Sequence, residues 1–202
     1  MSTPDTPADA LTDVEPVDSP QQQPPPTDAA FAGAVEVGLD ITLDTTLDTT
    51  KESVRSLMAS ADPRVMKALR YAGAELRAGV CEQGENGGVP HQRYVRWFGN
   101  YPPSPWCAYF VSWCWDNATD RNRRTPWDTP GAVRSVHTWA SQHGKLVSRP
   151  QAGDVFGVGS DHMGWVWSAG GGEIVTIEGN TSSGCVRSHR RPTSGLWFAR
   201  IA

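Results

Sequence analysis

The feature that most constrains this 202-residue sequence is a change of pattern at Gly144. Before it, apolar residues recur at helical spacing; after it, they fall into short β-branched and aromatic runs. Asp62-Pro63 is a helix opening, with Asp as N-cap and Pro at the first helical position, where its missing N–H costs nothing. Val65, Leu69, Ala72 and Leu76 follow at helical spacing, and Gly79 closes the helix. GENGGVP reads as a loop, HQRYVRWF (91–98) as a short helix and NYPPSP as a breaker. SPWCAYFVSWCWDNA (104–118) predicts a further helix with Ser104 as N-cap and Pro105 as its first residue. PGAVRSVHTWASQHG (130–144) predicts another, opened by Pro130, ended by Gly144 and marked by Val133, Val136 and Ala140. Downstream, KLV, DVFGV (154–158), HMGWVWSA (162–169), EIVTIEG (173–179), CVRSHR (185–190) and LWFARI (196–201) are separated by Gly, Ser and Pro, as in an antiparallel meander. Helices first and strands after predict an α+β domain with the helices packed on one face of the sheet.

Charge divides the chain near residue 62. Residues 1–62 hold twelve Asp or Glu against Lys51 and Arg55, a net of −10, whereas 63–202 carry a net of +6 and all nine Trp, from Trp97 to Trp197. The first part is rich in Pro, Asp, Thr and Gln and too poor in large apolar groups to offset the entropy of ordering, so 1–62 is predicted to be a disordered leader and linker. Its short repeat, LDITLDTTLDTT, reads either as low-complexity linker or as a recognition segment that docks on a carrier or is shed in processing. There is no charged start followed by an apolar core and no 18-residue apolar run, so neither a Sec-type signal nor a membrane span is expected. No nucleic-acid partner is expected either. Four cysteines, Cys81, Cys107, Cys114 and Cys185, are too few for a disulfide scaffold and have no Cys-x-x-Cys spacing for a zinc ribbon. A Cys81–Cys185 bridge stays open as one pairing.

Two of those cysteines share the 104–118 helix. With Ser104 as cap, Cys107 falls in the first turn, where unpaired N–H groups and the helix dipole stabilise an anion and favour a thiolate nucleophile. Phe110, Val111 and Cys114 follow at +3, +4 and +7 on a stripe facing the sheet, so Cys114 reads as core filler. A thiolate catalyst needs a base. His91, His137 and His143 lie on predicted helices and suit surface or cap roles, and His189 in RSHRR reads as a solvated edge. His162 opens the apolar strand HMGWVW after the turn GVGSD, where a side chain faces a sheet end. In TIEGN, Glu178 and Asn180 are two apart and would share one face of an extended strand. A hairpin through SAGGG would bring either of them to His162 as its orienting partner.

PWCAYFVSW, AGDVFGV, DHMGWVW and TIEGNTS together resemble the CHAP domain (cysteine, histidine-dependent amidohydrolase/peptidase), a relative of the NlpC/P60 hydrolases with a papain-like arrangement. The resemblance covers about residues 64–202, in the family's chain order, and GENGGVPHQRYVRWFG resembles the lead-in of bacterial and phage members. It implies a papain-like α+β fold over 63–202, with Cys107 as nucleophile, His162 as base, Glu178 orienting the imidazole and Asn180 as a further polar active-site group. Tyr109 and Trp113 are bulky where many relatives carry smaller residues. No acidic cluster of the kind some members use for calcium is present, so no metal or other cofactor is implied.

The function expected from this resemblance is a peptidoglycan hydrolase cutting a muramoyl-L-alanine amide or a stem or cross-bridge peptide bond. Trp106, Trp165 and Trp167 would wall a groove for the sugar-peptide strand. Such an enzyme acts at the bacterial cell wall and, without a signal, would be phage-delivered, released through a holin or loaded into an injection apparatus through its leader. Two other readings stay open: a papain-like amidase or deamidase effector acting on a protein target, and a non-catalytic wall-binding module.

Overall fold

In a computed structural model the described residues are 62–120 and 124–202. The leader and the LDITLDTTLDTT repeat lie outside them. Helix α1 (Pro63–Arg77) starts where the Asp-Pro pair predicts: Asp62 Oδ1 accepts the Arg64 N–H at 2.8 Å, and Pro63 occupies the first turn. Gly79, at φ 62°, turns the chain out of the helix. A single turn, α2 (Gly88–Pro90), runs into a π-helical turn (His91–Val95) and a 3₁₀ turn (Arg96–Phe98), so the predicted short helix is present but unevenly wound. Helices α3 (Cys107–Thr119) and α4 (Val133–Gln142) follow.

Both of the later helices begin after the positions the prolines predict. Helix α3 starts at Cys107, with Trp106 as its N-cap at φ −120° and ψ 12°. Tertiary contacts hold Trp106 out of helical geometry: its ring lies 5.5 Å from that of Tyr94, and its Nε1 donates to Glu82 Oε2 at 3.2 Å. Ser104, the predicted cap, instead donates its hydroxyl to the Pro102 carbonyl at 3.2 Å and accepts from Asn100 Nδ2 at 3.0 Å. Helix α4 starts at Val133 rather than Pro130, because the Pro130 carbonyl accepts the Ser112 hydroxyl at 2.7 Å and Gly131 lies against the Tyr109 ring.

Six strands, β1 (Leu146–Val147), β2 (Val155–Val158), β3 (His162–Gly170), β4 (Glu173–Glu178), β5 (Arg187–Pro192) and β6 (Trp197–Ala199), form one antiparallel sheet in the order β1-β6-β2-β3-β4-β5. The run β2 to β5 is the predicted meander. Strand β6 departs from it, returning to lie between β1 and β2. The β3–β4 hairpin pairs Trp165 with Ile177 and Val166 with Thr176, then shifts register at a bulge around Trp167. The fold is thus α+β, as the change of pattern at Gly144 predicts.

Alternation along the strands separates two cores. Val155, Met163, Trp165 and Ile177 pack with Leu69 of α1 and with Phe110 and Val111 of α3. Phe156, Val166, Ile174 and Phe198 make a smaller cluster from the alternate positions. Helix α3 is buried nearly all round rather than along the single stripe predicted, because Ser112, Asp116 and Asn117 are buried too. Ser112 meets the loop before α4 through Pro130 and through Trp127 Nε1, which donates to its hydroxyl at 2.9 Å. Asp154 of the Gly-Asp-Val motif is structural. Its buried carboxylate takes both Arg200 Nε and Nη2 at 3.0 Å, tying the turn before β2 to the residue after β6. Burial pushes the Asp154 carboxyl up, against the Arg200 charge.

Candidate active site

The candidate nucleophile sits where a helix end and a sheet end meet. Cys107 is the first residue of α3, and no side-chain cap occupies the N–H groups of that turn. Its Sγ lies 3.9 Å from the Asp161 carbonyl oxygen, in the turn that leads into β3. His162 is the next residue, and Cys107 raises the pKa of its ring. Nε2 of the imidazole lies 2.7 Å from Glu178 Oε2 at the end of β4. Cys107, His162 and Glu178 are therefore brought together from three elements, with the imidazole interacting with both of the others.

Small residues allow this approach. A Cβ at Gly164 would stand 2.9 Å from Glu178 Cγ, so the glycine of the His-x-Gly motif leaves the room the carboxylate occupies. A Cβ at Gly179 would stand 2.6 Å from the Trp106 ring and 2.8 Å from Phe110 Cβ, so the backbone after Glu178 lies directly on α3.

Charge is fixed as firmly as position. Glu178 is fully buried, yet its pKa falls to about 2. Burial opposes the charge, but hydrogen bonds from Arg191, His162 and Thr176 outweigh it. Arg191 Nε and Nη2 donate to Oε1 and Oε2 at 2.6 Å each, and the Thr176 hydroxyl donates to Oε1. For His162, burial again opposes the charged form, while Cys107 and then Glu178 raise its pKa from 6.5 to about 9. The arrangement holds an imidazolium between a sulfur and a permanent carboxylate, as acid–base work on a thiol requires.

The remaining predicted site residues lie elsewhere. Asn180 does not continue the face of Glu178: β4 ends at Glu178, and Asn180 takes the left-handed conformation at φ 54°. Its amide donates to Asn86 Oδ1, at 3.5 Å, in the GENGGVP loop. Trp106 and Trp165 are both 0 % exposed, so they form core rather than the walls of an open groove. Trp167, partly buried, packs on the same core. Trp113 is likewise core, edge-on to Tyr71 at 5.5 Å, and Tyr109 stacks on Phe98 at 6.2 Å. His91 Nε2 pairs with the Tyr101 carbonyl at 2.7 Å, His143 Nδ1 with the Trp139 carbonyl at 2.8 Å, and His137 lies edge-on to Trp197.

One feature lay beyond the sequence reading, and a second was left open by it. Arg191 belongs to RSHRR, read as a solvated edge, and nothing local marks it as the partner of Glu178. Cys81 and Cys185 form a disulfide across a sequence separation of 104, beside the backbone bonds Glu82 N–H to Gly184 O and Val186 N–H to Val80 O at 2.8 Å. The bond ties the GENGGVP loop to the turn that carries Asn180. Among the described residues, no group of three or more His, Cys, Asp or Glu is placed to hold a metal ion, and no helix is long and apolar enough to cross a membrane. Comparison with protein-family models, with curated proteins and with solved structures found no match to this chain.

Proposed function

We propose that residues 63–202 form a papain-like cysteine amidohydrolase/peptidase of the CHAP type that cleaves an amide bond in peptidoglycan. The observation that carries this reading is the juxtaposition of Cys107, His162 and Glu178, with His162 Nε2 2.7 Å from Glu178 Oε2 and Cys107 acting on the same ring. With the thiol proton held on His162 as imidazolium, Cys107 Sγ attacks the amide carbonyl carbon. The oxyanion that develops is met by the Cys107 backbone N–H at the start of α3. Collapse breaks the C–N bond, His162 gives the proton to the leaving amine, and a thioester remains. Water, deprotonated by His162, then attacks the thioester, releasing a carboxylic acid and restoring the thiol. Glu178 keeps the ring oriented and balances its charge throughout. Asn180, held to Asn86, takes no part in these steps.

The wall as target rests on the motif resemblance and on the Cys81–Cys185 disulfide, which suits an oxidising, extracytoplasmic place of action. That bond favours the wall over a papain-like effector acting on a cytosolic protein. Delivery by a phage particle, through a holin or by an injection apparatus all fit. Purified sacculi test the proposal. The protein should lower their turbidity and create new amine and carboxyl ends, and Cys107→Ala should abolish both. Turbidity loss retained by Cys107→Ala overturns the mechanism, and identification of the new ends names the bond.

A further inference from the structure

The Glu178 carboxylate is gripped from both sides. His162 holds one edge, and on the other Arg191 donates two parallel hydrogen bonds of 2.6 Å, a fork that a lysine cannot reproduce. The guanidinium is itself fixed: its Cζ lies 5.5 Å over the Phe156 ring, and Phe156 meets the His162 ring edge-on at 6.4 Å. Arg191 therefore supports both neighbours of the imidazole, the carboxylate and the aromatic wall. Its place in the sheet makes this specific. The direct ladder partner of Glu178 is Arg187, which is exposed and donates to the Val186 carbonyl at 3.4 Å. Arg191 pairs with Ile174 and reaches back along the strand to the carboxylate.

We propose that Arg191 is a positioning residue: it sets the direction of the Glu178 carboxylate and, through it, the ring orientation that presents His162 to Cys107. The proposal rests on the roles given above to Cys107, His162 and Glu178. Other groups face the pair from each neighbouring element. Thr176 on β4 donates to Glu178 and to the His189 carbonyl, Arg187 lies opposite Glu178 on β5, and Asp161 precedes His162. Of the groups that stabilise the ionised Glu178, Arg191 acts most strongly, ahead of His162 and Thr176. Without Arg191 the buried carboxyl is drawn toward its neutral form, in which it neither balances the imidazolium nor fixes the ring.

The test uses the full chain with Arg191→Met, which removes the fork and the charge but keeps a long apolar stem, and Arg191→Lys, which keeps the charge alone. The first readout is the titration of the His162 ring, followed by NMR on isotope-labelled histidine. From a starting midpoint of about 9, Arg191→Met should bring it down by about one unit or more, and Arg191→Lys by less. The second readout is hydrolysis of soluble muropeptides, where kcat should fall roughly 10- to 100-fold with KM little changed. A purely structural role would lower Tm and leave the His162 midpoint and the kcat-to-KM split as they are. An Arg191→Met protein that melts cooperatively and titrates His162 like the parent overturns the proposal. If that variant fails to fold, Arg191→Lys decides by the same titration. If the parent shows no hydrolysis at all, the hydrolase reading fails while the His162 titration still tests Arg191.

Discussion

Gly164 faces Glu178 so closely that a methyl group there would stand 2.9 Å from Glu178 Cγ, with the Ile177 carbonyl oxygen at 2.8 Å and Phe156 Cε1 at 2.9 Å. None of these three can yield easily, since one is backbone and the other two are buried. Gly164→Ala should therefore displace the carboxylate from His162 and lower kcat/KM by roughly 100-fold. Overpacking should cost about 1–3 kcal/mol. Denaturant melts and muropeptide hydrolysis measure the two effects, and parental activity in this variant would show that the reach of Glu178 to His162 does not limit catalysis.

The two free cysteines should differ in chemistry. Burial pushes the Cys114 thiol well up, and the residue is fully buried in the main core. At neutral pH, iodoacetamide should modify Cys107 and leave Cys114 untouched. Peptide mapping after a short exposure reads this directly. Cys114→Ala should keep activity and lose roughly 1 kcal/mol of stability from the vacated volume.

Stability should depend on pH through the His162–Glu178 pair. Glu178 has a folded pKa of about 2 against 4.5 for the free side chain, so its contribution is complete above about 4.5 and is lost as pH falls toward 2. His162 has a folded pKa of about 9 against 6.5, so its contribution is complete below 6.5 and is lost as pH rises through 9. Arg191 contributes to the first shift ahead of His162, and Cys107 to the second ahead of Glu178. Tm measured across pH should therefore be highest between those limits, with an alkaline decline that starts near 6.5. In Cys107→Ala, which removes the first of the two groups raising His162, the ring should titrate closer to 6.5, and an unchanged midpoint would separate Cys107 from the imidazole.

Reduction should loosen the loop and the turn that the Cys81–Cys185 bond joins. The Cys81–Cys185 bond closes a span of 104 residues, for which the chain-entropy argument gives about 4–5 kcal/mol. Dithiothreitol, or Cys81→Ser with Cys185→Ser, should lower Tm. Activity should fall as well, because the loop carrying Asn86 and the turn carrying Asn180 lose their covalent tie. Equal melting with and without reductant would show the bond to be dispensable.

Much of the architecture was legible because its signals are local. Asp62-Pro63, Gly79 and Gly144 punctuate the chain by conformational preferences that hold in any context, and the strand runs after Gly144 are short and well separated. Positions set by tertiary contact were not legible. Trp106 is held out of the helix by Tyr94 and Glu82, which moves the start of α3 past the position Pro105 suggests. Asn180 leaves the strand at a single left-handed residue, so period-two reasoning that holds for Thr176 and Glu178 stops there. Cys107, His162 and Glu178 could be picked out by residue type and chain order. Arg191 could not, since its pairing with Glu178 needs the β4–β5 register and a side chain reaching along the strand.

The placement of β6 between β1 and β2 bears on how the protein is made. Cys107 precedes Glu178, its counter-ion Arg191 and the strand that joins β1 to β2 along the chain. A nascent chain that has extruded α3 carries the thiol with neither a charged imidazole beside it nor a sheet to hold one. Because β6 pairs with both β1 and β2, the sheet is complete only once residues 197–199 have inserted, and non-local pairing of this kind is slow. The sheet that frames the candidate site is thereby completed by β6, through topology alone.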